Sequence, residues 1–391
     1  MALADRWLLP EGIKELLPPK AYGVELLRRR LLDLHVSWGY EFVMPPLVEH
    51  LDSLLTGVGR DLDLNTIKVT DQLSGHSLGV RADITPQVAR IDAHRLRQEG
   101  VTRLCYCGTV VHARPAQPLA SRNPLQLGAE LYGHAGIESD VEIIDLMMQT
   151  LQAAGVQREL TLDLGHVGVF RGLMRWTGLT AEQQDGYLDI LRRKALPELA
   201  SFVADLKLDT NQSDALMVLP GLHGGVDVLS RAKTEFAAAP AEVIEAIEYL
   251  QQLAERISLR DGGLDLYFDL SELRGYNYHT GVVFAAYTPE FGQSIASGGR
   301  YDHIGEDFGR ARPATGFSAD LSTLAELSNQ SFAQARRVQA PAVEDAALLQ
   351  QVATLREQGA TVVFALPGID SSTPCTAKLV QQEGQWQVID L

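Results

Sequence analysis

Four short stretches gather polar side chains of the kinds that hold a small polar ligand. "VRADIT" supplies Arg81, Asp83 and Thr85 at alternate positions, so on an extended backbone the three share one face. "LQLGAEL" supplies Gln126 and, four residues on, Glu130. "ELRGYNYHTG" supplies Arg274, Tyr278 and His279, and "SGGRYD" supplies Arg300, Tyr301 and Asp302 behind a glycine pair. Several other chemistries leave no trace: there is no GxxxxGK[ST], no GxGxxG after a strand and no HExxH. The ten histidines are scattered without metal-ligand spacing, so neither a metal nor a cofactor is expected. Each polar group also has a structural reading. Thr85, beside Pro86, reads as a helix N-cap; Gln126 and Glu130 read as a strand's hydrogen-bond network; Tyr278 and Tyr301 read as core aromatics.

The elements that must position these groups alternate between helical and extended patterns. Val24, Leu27, Leu31, Leu34 and Trp38 recur at three- and four-residue steps, predicting a helix over 20–38 that Gly39 ends. Residues 76–134 read as strands and turns interrupted by a helix at about 86–98. "SDVE" reads as a capping box between Ser139 and Glu142, opening a helix whose buried side is Val141, Ile144, Met148 and Leu151. Residues 168–260 turn Ala- and Leu-rich and read as a helical insertion, after which strands resume at "LDLYFDLSE", "GVVFAAYT" and "QSIASGG". "ATGFSADLSTL" (314–324) reads as a buried strand turning straight into a helix capped by Asp320 or Ser322, with no cation at the joint. "SNQSFAQARRVQAPA" reads as a linker, and the tail as a helix near 344–357, a strand and a hairpin turning at Glu383–Gly384. The pattern predicts an α+β protein on a largely antiparallel sheet. One domain is expected over 1–330, with the insertion at about 168–260, and a short α/β unit over 331–391.

Bulk composition narrows the class. The chain has 391 residues, 46% hydrophobic and 21% charged, with a formal net charge of −16. Such a surface repels nucleic-acid phosphates unless a basic stripe overcomes it, and "LLRRRLL" sits on an amphipathic helix. No apolar run approaches the roughly 20 residues that span a bilayer, and "MALADRWLLPEGIKELLPP" reads as neither signal nor transit peptide. Cys105, Cys107 and Cys375 are too few for a disulfide framework, and the alternate pair in "CYC" is expected to pack into the core. A reducing cytoplasm is the expected compartment.

In order, these stretches resemble the catalytic domain of histidyl-tRNA synthetase, a class II aminoacyl-tRNA synthetase. "WGYEFVMPPLVEH" resembles the first class motif, which makes that family's dimer interface. "VRADITPQVAR" resembles its L-R-P-E-x-T loop, and "RLCYCGTVVHARPAQ…RNPLQLGAELYG" its second motif. "LRGYNYHTGVVF" and "SIASGGRYD" resemble its two histidine-specific motifs. The similarity covers about residues 5–325 and implies a class II synthetase-like antiparallel sheet flanked by helices, dimeric through the first motif. It also implies a histidine pocket of Asp83, Thr85, Gln126, Glu130, Arg274, Tyr278, His279 and Tyr301. Acids would meet the ligand's ammonium, an arginine its carboxylate, and Gln, Glu and aromatic groups its side chain.

The departures from the family pattern carry as much information. The phosphate-binding F-R-x-E of the second motif becomes "VHAR", with His112 at the Arg position and Arg114 at the Glu position. Ser322 and Thr323 replace Glu and Arg of the third motif. A bidentate arginine–phosphate contact contributes roughly 1.5–3 kcal/mol. Loss of one donor to a transition state costs about 10²–10³ in rate, so losing two implies ~10⁴–10⁶ if the effects add. The stretch after Leu324 is short for the family's anticodon-binding domain, and no tRNA function is expected. The combination resembles the regulatory subunits of short-form ATP phosphoribosyltransferase. That resemblance implies a non-catalytic subunit with no catalytic residues, assembled with the short catalytic subunit into a hetero-octamer. It would activate that subunit and take part in histidine feedback, with L-histidine as effector. The alternatives are an active amino-acid-adenylating enzyme with an unknown acceptor, or a stand-alone amino-acid sensor.

Overall fold

The computed structural model describes residues 7–56, 60–115, 120–156, 159–271, 275–276, 278–306, 308–329, 336–369 and 374–391. Helix α1 (Lys20–Ser37) leads into β1 (Glu41–Phe42) through Gly39, whose φ of +84° is open to glycine at little cost. Its buried stripe is Val24, Leu27, Leu31 and then His35, so Leu34 and Trp38 are only half-buried. The His35 Nε2 lies 2.9 Å from Thr150 Oγ1, which satisfies a ring that the apolar pattern overlooked. A small antiparallel sheet follows, β2 (Val48–His50), β3 (Ile67–Thr70) and β4 (Ser77–Val80), in the order β2-β4-β3, with the short helices α2 (Leu51–Leu54) and α3 (Arg60–Asn65) between. Helix α4 (Thr85–Arg90) continues as a π-turn over Ile91–Leu96.

The large sheet has nine strands. They are β1, β5 (Thr102–Thr109), β6 (Leu125–Tyr132), β7 (Thr161–His166), β8 (His223–Gly224), β9 (Asp265–Asp269), β10 (Val282–Thr288), β11 (Phe291–Arg300) and β12 (Ala314–Asp320). Their order is β1-β5-β6-β12-β11-β10-β7-β9-β8, antiparallel except for the parallel pairs β1–β5 and β7–β9. Period-two alternation sorts the central strands into two faces. Leu104, Tyr106 and Tyr132 turn toward Ile84, Val88 and Ala89, on and beside α4. Phe317 turns the other way and meets the His35 ring edge-on at 5.8 Å. That second face is covered by α1, α5 (Ile137–Ala153), α11 (Ala241–Arg260) and α12 (Leu321–Leu327). With both faces covered, the strands read as near-continuous apolar runs. The insertion comprises α6 (Val167–Thr177), α7 (Ala181–Arg193), α8 (Leu196–Asp205), α9 (Thr210–Val218), α10 (Asp227–Glu235) and α11, with β8 and a 3₁₀ turn at Leu219–Gly221 as its break.

Four local expectations fail. Thr85 is not the N-cap: Ile84 precedes α4, and the Thr85 hydroxyl donates to Glu130 instead. Ser139 and Glu142 form no capping box, because Ser139 lies inside α5 and is recruited by Arg300, while Glu142 pairs with Arg103 at 2.7 Å. In α5 it is Met147 rather than Met148 that is buried. The supposed linker is shorter than expected, since "RVQA" is strand β13 (Arg337–Ala340).

By compactness the chain divides into Met1–Asn329 and Gln330–Leu391. Among its described residues, the second unit has a four-stranded sheet ordered β14 (Thr361–Phe364), β13, β15 (Ala377–Gln382), β16 (Gln385–Asp390), with one helix, α13 (Ala346–Glu357). Its core is Val338, Ala340, Leu348, Val352, Val362, Ala377 and Leu379. Positive φ at Glu383 and Gly384, 47° and 80°, makes the two-residue turn of the terminal hairpin.

The sheet centre depends on missing side chains. A Cβ at Gly298 would fall 2.1 Å from the Gly316 carbonyl oxygen, and one at Gly316 would fall 1.6 Å from Glu130 Oε2. Gly316→Ala is therefore expected to remove about 3 kcal/mol of unfolding free energy. Urea denaturation reads this directly, and a loss under about 0.5 kcal/mol would mean that the strands shift freely.

Candidate functional site

A half-open cavity of about 220 Å³ lies between the α4 side of the sheet and the loop at 275–280. Asp83, Thr85, Glu130, Tyr278, His279 and Tyr301 line it, so six of the eight residues expected from sequence converge. Gln126 stands just behind them. Its Nε2 donates to Asp83 Oδ1 at 2.8 Å and its Oε1 accepts from the Ile84 amide at 2.9 Å, tying the 83–85 loop to β6. Asp83 Oδ1 also accepts from the Thr85 amide at 3.0 Å, which fixes the carboxylate without a cation. Arg274, the eighth residue, lies outside the described residues.

Glu130 is the chemical centre. It is 1% exposed and faces Gly316 across the β6–β12 register, where only hydrogen leaves room for its carboxylate. Thr85 Oγ1 and Tyr106 OH each stand 3.0 Å from Oε1, and Tyr301 OH donates to Oε2. All three partners are neutral hydroxyls. Burial therefore dominates and pushes the carboxyl up to about 8; the three hydrogen bonds oppose that shift, and the nearby Asp83 charge adds to it. A carboxyl so placed favours a ligand that brings a cation or an N–H donor.

Aromatic rings form the facing wall. Tyr278 stacks on Tyr301 with centroids 5.0 Å apart, and His279 meets Tyr278 edge-on at 5.3 Å. The Tyr278 hydroxyl is sealed from solvent and has no hydrogen-bonding partner among the described residues, a donor left over for a ligand. Burial holds the His279 imidazole down at about 4, against an opposing bond from the Arg300 backbone and with help from the Arg171 charge, so the ring is neutral near pH 7.

Other members of the four stretches serve the framework. Arg81 donates to the carbonyls of Thr109 at 2.9 Å and Pro45 at 2.7 Å. Arg300 is buried against Asp140 at 3.0 Å and Ser139 at 2.8 Å and bonds the Gly136 carbonyl, binding β11 to the start of α5. Asp302 accepts from Thr280 and from the Ala314 amide, each at 3.0 Å. Of "GRYD" only Tyr301 looks into the cavity. Among the lining or supporting groups that escaped the sequence reading are Asp163, on β7 between the buried Leu162 and Leu164, and Tyr106 between the cysteines. A lone acid in an apolar strand was the available signal for the first. Tyr106 had none, because the cysteines on either side drew attention to the opposite face, where Cys105 is buried; Cys107 is half-buried.

A second cleft of about 370 Å³ shares Asp83, Ser297 and Ser318 with the first. His112 lines it, but the ring's Nε2 is engaged with the Ala82 carbonyl at 3.1 Å. Arg114 is exposed and lines neither cavity. At the strand–helix corner Asp320, not Ser322, is the cap: it accepts from the Ser322 amide and the Thr323 hydroxyl. Among the described lining residues of this cleft there is no Lys or Arg, while Asp83 and Asp320 are both acidic. Among the described residues no group of three or more His, Cys, Asp or Glu could hold a metal ion, and no helix is long and apolar enough to cross a membrane.

Glu130 gives the ligand-free chain a pH signature. Its folded pKa lies above the unfolded value, so the folded state binds the extra proton between about 4.5 and about 8. Its contribution to stability is present below that window and is lost as pH rises through it. The thermal midpoint of the wild-type chain minus that of Glu130→Gln is expected to fall steadily from pH 5 to pH 8. A flat difference would mean that the carboxyl is already ionised at pH 5.

The chain's likeness to known proteins agrees with this geometry. The profile of the family "Histidyl-tRNA synthetase" matches residues 12–324, and that of "ATP phosphoribosyltransferase subunit HisZ C-terminal domain" matches residues 335–389. ATP phosphoribosyltransferase regulatory subunits of Pseudomonas fluorescens (strain Pf0-1) and Azotobacter vinelandii are each 54% identical, over 100% of both chains. A solved ATP phosphoribosyltransferase regulatory subunit/histidyl-tRNA synthetase from Bacillus halodurans superposes with a TM-score of 0.82 at 27% identity, covering 93% of this chain and 94% of that one. Histidyl-tRNA synthetase from Nostoc sp. PCC 7120 shares the fold, with a TM-score of 0.78 at 17% identity over 98% and 97% of the two chains. With the synthetase profile over most of its length, the HisZ profile over its C-terminal unit and 54% identity over full length to such subunits, the chain belongs to the family of ATP phosphoribosyltransferase regulatory subunits.

Proposed function

We propose that the chain holds L-histidine in the cavity around Glu130 and, assembled with the short catalytic subunit of ATP phosphoribosyltransferase, activates that subunit and relays histidine feedback to it. The family to which it belongs is the regulatory, non-catalytic part of that enzyme in histidine biosynthesis. The observation that carries the histidine reading is the solvent-sealed Glu130 carboxyl beside Asp83, met only by hydroxyls and facing an aromatic wall. Such a site accepts an ammonium and a flat N–H-bearing ring together. Arg274 is assigned to the ligand's carboxylate, and Asp83 and Thr85 to its ammonium end, with Gln126 holding the Asp83 carboxylate from behind. Tyr278, His279 and Tyr301 are assigned to the ring, with Glu130 bonding its N–H.

The same geometry argues against adenylation. A triphosphate in the adjoining cleft would meet two carboxylates and no described arginine or lysine, which repels rather than stabilises it. The assembly is read as a hetero-octamer in which copies of this chain pair through the first motif. Phe42, Met44, Leu47 and Val48 support that surface, being 36–81% exposed although apolar. The low cysteine count fits a reducing cytoplasm.

The deciding experiment mixes the chain with the short catalytic subunit and follows phosphoribosyl-ATP formation with and without L-histidine. Formation is expected to rise on mixing and fall on adding histidine; an unchanged rate on mixing removes the proposal. In calorimetry Arg274→Ala is expected to lose roughly 1.5–3 kcal/mol of histidine affinity, about 10- to 150-fold. An unchanged isotherm removes that residue from the pocket. Histidine-dependent ATP–pyrophosphate exchange by the chain alone would reinstate the adenylating alternative.

A further inference from the structure

The loop that brings Tyr278 and His279 to the cavity is anchored from outside it. Arg171, half-buried on α6, donates from Nη2 to the Tyr276 carbonyl at 3.0 Å and lays its guanidinium over the Tyr276 ring, 5.2 Å from the centroid. Phe170 meets the same ring edge-on at 4.9 Å. Phe170 is stacked on Tyr187 of α7 at 6.0 Å, and Tyr187 on Phe202 of α8 at 6.2 Å. A column of four rings thus runs from the cavity loop through three helices of the insertion. It is held at its middle by the Tyr187 hydroxyl, which donates to the Leu216 carbonyl of α9 at 2.7 Å.

Tyr276 also sits where the turn is decided. The Gly275 carbonyl accepts from the amides of Tyr278 and His279 at 2.8 and 2.9 Å, and Gly275 itself has φ of +63°. A Cβ at Gly275 would fall 2.7 Å from the His279 ring, so the turn closes tightly on that side chain. Fixing Tyr276 in place therefore fixes the direction in which both cavity rings point. We propose that Arg171 is the positioning residue of the cavity's aromatic wall, and that through it cavity occupancy and the packing of the helical insertion are coupled. The coupling rests on the amino-acid reading of the cavity; the positioning role does not. Because coupling between sites is reciprocal, a protein that shifts α6–α8 changes the affinity for the ligand by the factor the ligand changes its own.

The test uses the full chain and three variants, Arg171→Ala, Arg171→Lys and Tyr276→Leu, read by L-histidine calorimetry, amide hydrogen exchange and thermal midpoints. Arg171→Ala is expected to weaken L-histidine at least tenfold and to speed exchange of the ligand-free Tyr278 and His279 amides at least tenfold, at an unfolding midpoint close to that of the wild type. Arg171→Lys, which keeps the charge and a carbonyl donor but not the planar stack, is expected to recover part of both. Adding L-histidine to the wild-type chain is expected to slow exchange across residues 170–202. Unchanged Tyr278 and His279 exchange in Arg171→Ala overturns the positioning role whether or not histidine binds. Wild-type binding with unchanged exchange across 170–202 overturns the coupling alone. A wild-type chain that binds no L-histidine overturns the proposed ligand and the coupling with it, while ligand-free exchange still decides Arg171. Should Arg171→Ala not fold, Arg171→Lys and Tyr276→Leu carry the same comparison.

Discussion

A carboxyl group with three hydroxyl partners and no counter-charge is the constraint around which the central sheet is arranged. Glu130 can be accommodated only because the strand beside it offers a glycine, and because Tyr106, Thr85 and Tyr301 arrive from three different elements. Burying an acid in this way costs stability unless it is paired, and the described residues supply no cation to pair it. The protein carries that cost at one place and surrounds it with close-packed apolar strands. Strain of this kind concentrates at sites kept for function rather than for folding.

Much of this arrangement was legible in the sequence. Asp83 and Thr85 meet as expected, although through a bend into α4 rather than along an extended strand, and Arg81 leaves their face for the Thr109 and Pro45 carbonyls. The order of short motifs then placed Gln126, Glu130, Tyr278, His279 and Tyr301 together, and all of these meet in or directly behind one cavity. What was not legible depended on competition between partners. Thr85 had a sound helix-cap pattern, but a buried carboxylate outbid a backbone amide for its hydroxyl. Ser139 and Glu142 had the spacing of a capping box, yet each found an arginine first, Arg300 and Arg103. Arg300 looked like a ligand residue because it sits beside Tyr301, and alternation sends it to the other face to hold α5. Local patterns state what a side chain can do; long-range ion pairs decide what it does.

The corner formed by β12 and α12 illustrates how a scaffold changes trade without changing shape. Asp320 satisfies the free amide of Ser322 and the hydroxyl of Thr323, so the joint is stable with no external anion. An acid at a helix start occupies the electrostatic niche that a phosphate would otherwise fill. With His112 also engaged by a backbone carbonyl, the neighbouring cleft offers polar surface with the wrong sign for a triphosphate. The synthetase architecture is retained here while, among the described residues, the cleft lining carries no arginine or lysine.

The glycines opposite Glu130 and beneath Phe284 carry a further implication. Where a strand cannot accept even a methyl group, drift is barred at that position, and the floor of the cavity is frozen. Any change in the shape of this cavity must therefore come from editing its rim, at residues 83–85 and 275–279, over an inherited base.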